Sequence, residues 1–272
     1  PNSRRAPRAG ETGIVLECVV NISEGRDQGA IDAIARSAGP ELLDVHTDAD
    51  HHRSVLTVIG EAAPRAIARA AVELLDLRSH QGAHPRIGVV DVVPFVALDG
   101  STPDEARAAR DDFSRWTAAE LGVPCFRYGS ERTLPEIRRG AFTTITPDDG
   151  PLAPHPTAGA IAVGARPVLL AYNVWLAEPD LDQAKRIAAA IRSPSVRALG
   201  LRVGDRVQVS MNLIEPDVTG PSAVVDAIAE LAPVERCELV GLLPRRILDR
   251  EDEARWDELD LGPNRTIESR LP

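Results

Sequence analysis

Two kinds of hydrophobic pattern alternate along this 272-residue chain in an order that few architectures accept. Short β-branched apolar runs occupy residues 14–22, 42–46, 53–60 and 86–98, and stretches with 3.6-residue apolar spacing separate them. The first such stretch follows Asp27 and places Ile31, Ile34 and Ala35 on one side before Gly39-Pro40 stops it. The second covers residues 64–77, with Ile67, Ala70, Ala71, Leu74 and Leu75 on one face. The resulting order is β-α-β-β-α-β, a split arrangement whose helices cover one side of a sheet and leave the other side to be filled.

A helix over residues 101–121, capped by Ser101 or Thr102, a strand at 124–128 and a short basic helix at 134–141 come next. Across residues 146–156 Pro and Gly are dense and periodicity vanishes, which marks a linker. Beyond it the order recurs. Strands at 160–163 and 168–175 flank the turn Gly164-Ala165-Arg166-Pro167, and a helix runs from Asp180 or Asp182 to Ile191. Strands at 196–201 and 207–213 meet across Gly204-Asp205, Thr219-Gly220-Pro221 opens a helix to Leu231, and a last strand covers 237–243. The expected class is therefore α+β: two ferredoxin-like (βαββαβ) subdomains with facing sheets and helices outside, over residues 14–150 and 157–243. Residues 1–13 are expected to form a flexible tail, and residues 244–272 a charged helix with an extended end that packs back.

Composition narrows the possible partners. A formal net charge of −10 argues against nonspecific nucleic-acid binding, which needs a basic field. No apolar run approaches the ~20 residues of a transmembrane helix, so no membrane partner is expected. Cys18, Cys125 and Cys237 are an odd, widely spaced set in apolar runs, which suits buried free thiols in a reducing cytoplasm better than disulfides or zinc. The cluster His46, Asp48, Asp50, His51 and His52 lacks helical metal-ligand spacing and reads as a hydrophilic loop, so no metal is expected. Aromatics make up only 3% of the chain, and the cores must be built mainly from Ala, Val, Leu and Ile.

The polar junction at residues 77–95 is where chemistry is expected. Pro85 denies His84 the helical region, so His84 should be extended at the mouth of a strand. There a neutral imidazole beside the Arg86 guanidinium can accept a proton next to an anionic substrate, or can simply be a hydrogen-bonded loop residue. Asp44, at a strand end, can orient that imidazole or serve as a cap. The segment 159–168 reads as a Gly/Ala-rich hairpin ending in Arg166, able to admit a flat ligand or to make a tight sheet contact.

Gly82-Ala83-His84-Pro85-Arg86-Ile87-Gly88, followed by Asp91 and Pro94-Phe95, resembles the signature of the formimidoyltransferase family. Glu17-Cys18-Val19-Val20-Asn21-Ile22-Ser23-Glu24-Gly25 matches the same family, as do Leu42-Leu43-Asp44-Val45, Asp48-Ala49-Asp50-His51 and Arg53-Ser54-Val55. So do Pro156-Thr157-Ala158-Gly159-Ala160, Val163-Gly164-Ala165-Arg166, Gln208-Val209-Ser210-Met211-Asn212-Leu213 and Leu239-Val240-Gly241-Leu242-Leu243-Pro244, in the family's order. The chain departs from the family at Ala83, Val20 and Asp149 and in a short stretch at residues 192–206.

The resemblance implies folate-dependent transfer of a formimidoyl group from N-formimidoyl-L-glutamate to N5 of tetrahydrofolate, a step of histidine degradation. A related donor such as formimidoylglycine, or a non-catalytic folate-binding module, are the alternatives. It further implies that His84 moves the proton with Asp44 behind it. Gly159, Ala160, Gly164, Ala165, Arg166 and Val168 would bind tetrahydrofolate, the acceptor substrate, while Asn21, Ser23, Arg53, Arg86 and Asn212 would hold the donor. Partners would be these small molecules, with a homodimer allowed. The N- and C-subdomains would be present without a cyclodeaminase domain.

Overall fold

A computed structural model describes residues 15–81 and 86–272 of the chain. The expected tail at 1–13 and the tetrapeptide Gly82-Ala83-His84-Pro85 lie outside the described residues.

The first half contains β1 (Leu16–Ile22), α1 (Gln28–Ser37), β2 (Leu42–Asp48), β3 (Arg53–Ile59), α2 (Ala62–Leu74), β4 (Val90–Ala97), α3 (Pro103–Leu121), β5 (Cys125–Tyr128) and α4 (Leu134–Gly140). The strand β6 (Ile161–Ala165) completes one six-stranded sheet, ordered β2-β3-β1-β4-β6-β5. The strands β2, β3, β1 and β4 pair antiparallel, whereas β4, β6 and β5 run parallel. The helix ends follow local chemistry. Asp27 caps α1 through the Ala30 N–H, and Thr102 with Glu105 forms a capping box at α3.

Alternation along β1 sorts the sheet's two faces. Leu16, Cys18, Val20 and Ile22 point into a core with Ile34 of α1, Ile67 and Ala71 of α2, and Phe113 of α3. Glu17, Val19 and Asn21 therefore look to the other side, as do their cross-strand partners Ile59, Thr57 and Val55. On the β4-β6-β5 half that side is roofed by Ile137, Phe142 and Ile145 over Val92, Phe126, Ala160 and Ala162.

The second half comprises β7 (Leu170–Leu176), α5 (Leu181–Ile191), β8 (Val196–Val203), β9 (Arg206–Leu213), α6 (Pro221–Ala229), β10 (Val234–Val240) and α7 (Arg245–Leu248). Its four antiparallel strands are ordered β10-β7-β9-β8, and Val203 pairs with Arg206 across the expected Gly204-Asp205 turn. Ile187, Val224 and Ile228 pack with Tyr172, Val174, Val209 and Leu239 in a second core. The two halves meet where Leu43 contacts Leu242 and Ile267, with Ile59 and Leu98 alongside. The imidazole of His46 also lies 3.6 Å from the Glu238 carboxylate. The architecture is thus α+β with two sheets.

Three expectations need correction. The segment 159–168 is not a hairpin, because β6 is a single strand between β4 and β5 in the first sheet; the chain passes to the second sheet after Ala165, not at residues 146–156. The fourth apolar run becomes a strand only at Val90, since residues 86–89 must cross over 158–160: a Cβ on Gly88 would lie 2.0 Å from the Ala160 carbonyl oxygen. The charged segment after Pro244 is no long helix; α7 has 4 residues. It does pack back, with Tyr172 donating to the Leu259 carbonyl at 2.5 Å and Arg265 to that of Leu239 at 2.6 Å.

Candidate functional site

The end of β1, the starts of β3 and β4 and the helix α4 bring an ionic cluster together. Arg53, the first residue of β3, donates to the Asn21 side-chain oxygen from Nε at 3.0 Å and from Nη2 at 2.7 Å. Its Nη1 lies 3.5 Å from Asp91 Oδ2. Arg138 of α4 clamps the same carboxylate at 2.6 and 3.2 Å, and the Ile87 N–H donates to it at 2.9 Å. Asp91 is 1% exposed. Burial pushes its carboxyl up, but the charges of Arg53 and Arg138, with the bonds from Arg138 and Ile87, outweigh that and hold it below the usual range. Burial pushes Arg53 down to about 10 against the pull of Asp91, and Arg138 and Arg86 push the same way as burial. Three guanidinium groups thus act on one buried carboxylate, Arg53 and Arg138 in contact with it and Arg86 through its charge.

Imidazoles adjoin it. The His52 and His80 rings stand 4.1 Å apart, Arg86 Nη1 lies 2.6 Å from His80 Nδ1, and His80 Nε2 lies 3.1 Å from the His52 carbonyl oxygen. The same Arg86 Nη1 also meets His80 Nε2, so the guanidinium packs against both ring nitrogens. Burial, then the nearby cations, hold both imidazoles below their ordinary value, while Glu24 pulls His52 and the His52 carbonyl pulls His80 the other way. His51 is held by Asp48 at 2.6 Å. Ser23 locks the neighbouring loop by donating its hydroxyl to the Gly88 carbonyl at 2.8 Å and its N–H to that of Val89 at 2.7 Å.

The sequence-derived residues thus divide. Asn21, Ser23, Arg53 and Arg86 converge on this corner, and residues 86–89 join it. His84 falls outside the described residues. Asp44 lies on the open side of β2 opposite Thr57, half-buried, and no hydrogen bond reaches its side chain among the described residues. Ala160 is fully buried beneath the α4 roof, and Gly159 bridges to Gly88. Gly164 lies under the Tyr128 ring, where a Cβ would sit 2.1 Å from Cζ. Arg166 follows β6, its N–H donating to the Phe95 carbonyl at 3.1 Å and its Nη1 to that of Pro167 at 3.0 Å; Ala165 and Val168, beside it, are half-buried. Asn212 is exposed on the second sheet, opposite Ala171 and Arg197, and shares no hydrogen bond with the cluster among the described residues.

Sequence reasoning missed Arg138, 47 residues from its partner Asp91 in the chain. It also passed over Glu17, although a lone carboxylate inside an apolar strand is a visible signal. Glu17 is 5% exposed, and burial raises its carboxyl to about 7, with Arg166 pulling down and Glu268 pushing up. Among the described residues, no group of His, Cys, Asp or Glu side chains has the arrangement of a metal site.

A two-sheet α+β chain that gathers guanidinium groups and imidazoles at one corner is equipped to meet small anionic groups. Its sequence carries the identity further, because the formiminotransferase domain, N-terminal subdomain, matches residues 15–166. The chain belongs to the formiminotransferase family. It is 36% identical over 270 residues to glutamate formimidoyltransferase of Streptococcus pyogenes serotype M1, covering 86% of this chain and 90% of that protein. To its counterpart from Thermoplasma acidophilum it is 34% identical over 273 residues, covering 86% and 89%. It is also 36% identical over 277 residues to formimidoyltransferase-cyclodeaminase of Sus scrofa, covering 86% of this chain and 51% of the pig protein. The chain therefore spans about half the length of that mammalian relative.

Proposed function

We propose that this chain is a formimidoyltransferase that moves the formimidoyl group of N-formimidoyl-L-glutamate to N5 of tetrahydrofolate. The observation that carries the reading is the 36% identity along 90% of the streptococcal glutamate formimidoyltransferase. The site agrees with it, since both substrates bear carboxylates and Arg53 and Arg138 gather at the buried Asp91 with Arg86 near enough to feel its charge. In the reaction N5 attacks the amidine carbon, a new C–N bond forms, and the bond to the glutamate nitrogen breaks. The N5 proton must leave and the departing nitrogen must gain one. His84 is assigned both transfers, as base and then acid, with Asp44 as its orienting carboxylate. Asn21, Ser23, Arg53, Arg86 and Asn212 are assigned to the donor. Gly159, Ala160, Gly164, Ala165, Arg166 and Val168 are assigned to tetrahydrofolate, with Arg166 offering bidentate donors to a carboxylate.

The strand orders β2-β3-β1-β4 and β10-β7-β9-β8 support reading each βαββαβ set as a ferredoxin-like unit, with substrates held between facing sheets. Three buried free thiols agree with a reducing cytoplasm. No helix among the described residues is long and apolar enough to cross a membrane. Incubation with tetrahydrofolate and a panel of formimidoyl and formyl donors tests the proposal. N-formimidoyl-L-glutamate should be the best donor, and turnover only with formimidoylglycine or a formyl donor would replace it.

A further inference from the structure

On the open side of the first sheet, two buried residues carry polar side chains that make no hydrogen bond among the described residues. Glu17 is 5% exposed and accepts no hydrogen bond among the described residues, although buried carboxylates are almost always paired. Thr57, 1% exposed, sits diagonally beside it on β3, and its hydroxyl also lacks a partner among the described residues. The side chains flanking Glu17 on this face, Ile59 and Val96, are apolar. Arg166 lends Glu17 charge from a distance but spends a hydrogen bond on the Pro167 carbonyl, and Glu268 is of like sign. The position is also a seam: Ile59 packs against Leu242 of the second half, and Gly241 lies against Thr57. Ligand sites favour such inter-unit seams.

We propose that Glu17 is the carboxylate that receives the two adjacent N–H groups of the pterin ring, its 2-amino group and N3, when tetrahydrofolate lies on this face. The assignment rests on the folate reading above and adds the subsite that reads the ring. A carboxylate has two parallel acceptor oxygens, and of the groups on the two substrates this pyrimidine edge is a planar pair of donors at matching spacing. The carboxylates of either substrate would be repelled there, which leaves them to the guanidinium corner. Glu17 stands four residues, about 13 Å, along β1 from Asn21. Ring recognition and carboxylate recognition are therefore placed at opposite ends of one strand. The raised affinity of Glu17 for its proton fits the same picture, because N–H donors would supply the compensation that burial lacks.

The test compares binding of 5-formyltetrahydrofolate with that of its 2-desamino-2-methyl analogue by titration calorimetry. The parent protein should prefer the amino compound by about 10- to 100-fold, the range of a charge-assisted hydrogen bond. Glu17→Gln, of nearly the same volume, should lose most of that preference by weakening the amino compound alone. Equal affinities in a parent that binds 5-formyltetrahydrofolate, or full discrimination in Glu17→Gln, would overturn the assignment and leave the folate reading standing. A parent that binds neither compound overturns both. The parent comparison needs no variant, so it decides even if Glu17→Gln fails to fold.

Discussion

Asp91 concentrates the electrostatics of the site in one side chain. Replacing it with Asn should remove the charge that Arg53 and Arg138 share and cost about 3 kcal/mol, measured by urea denaturation at pH 7. The native carboxyl is held below its unfolded value, so its stabilisation is complete above about pH 4 and fades as pH falls through the lower native value. The gap between parent and Asp91→Asn should therefore narrow below pH 4, and a gap independent of pH would mean that Asp91 is not the ionised partner. His84→Ala should lower turnover by about 10²- to 10⁴-fold with folate affinity nearly kept. Comparable turnover in variant and parent would move the base elsewhere, with His46, His51 and His52 next in line. The donor-side residues Asn21, Ser23, Arg53 and Arg86 could be picked out because they lie close to recognisable turns and strand ends. Arg138 could not, because only the folding of α4 across the sheet brings a generic basic helix to Asp91.

At the scale of elements, periodicity worked wherever a strand or helix buries one face. It placed β1 to β3, α1 to α3 and nearly all of the second sheet within a few residues. It failed for β6. A short Gly/Ala-rich run after a Pro/Gly stretch looks like the start of something new, yet β6 is buried on both sides and inserts between β4 and β5 by parallel pairing, which leaves no alternation to read. Gly164 is the residue that makes this insertion fit, because the Tyr128 ring of β5 occupies the space of its missing side chain. Gly164→Ala should displace that ring and destabilise the protein by about 1 to 3 kcal/mol. Tyr128→Leu, which removes the hydroxyl end and the ring, should cost less in the Gly164→Ala background than in the parent. Additive losses in thermal denaturation would show that the two positions do not compete for the same space.

The whole molecule depends on a narrow seam between two separate cores. Each sheet has its own helices and its own buried cluster, while among the described residues the apolar cluster shared by the halves is formed by Leu43, Leu242 and Ile267 with Ile59 and Leu98. Ile267 reaches it from the returning C-terminal segment, whose other anchors, at Tyr172 and Leu239, belong to the second sheet. That geometry was only partly legible beforehand: a repeated element order announces two units, but the residues that join them are single hydrophobic side chains at strand ends, with no period to mark them. Leu242 is 7% exposed and central to the seam, so Leu242→Ala should remove about 2 to 4 kcal/mol of packing and weaken the coupling between halves. Trp116 belongs to the first core, whereas Trp175 and Trp256 belong to the second half, so a Trp116→Phe background makes tryptophan fluorescence report on the second half alone. In that background the fluorescence and far-ultraviolet dichroism transitions in urea should coincide with Leu242 present and separate in Leu242→Ala. Coincident transitions in both would place the coupling outside this cluster, in the His46 and Glu238 contact or in the passage from Ala165 to Leu170.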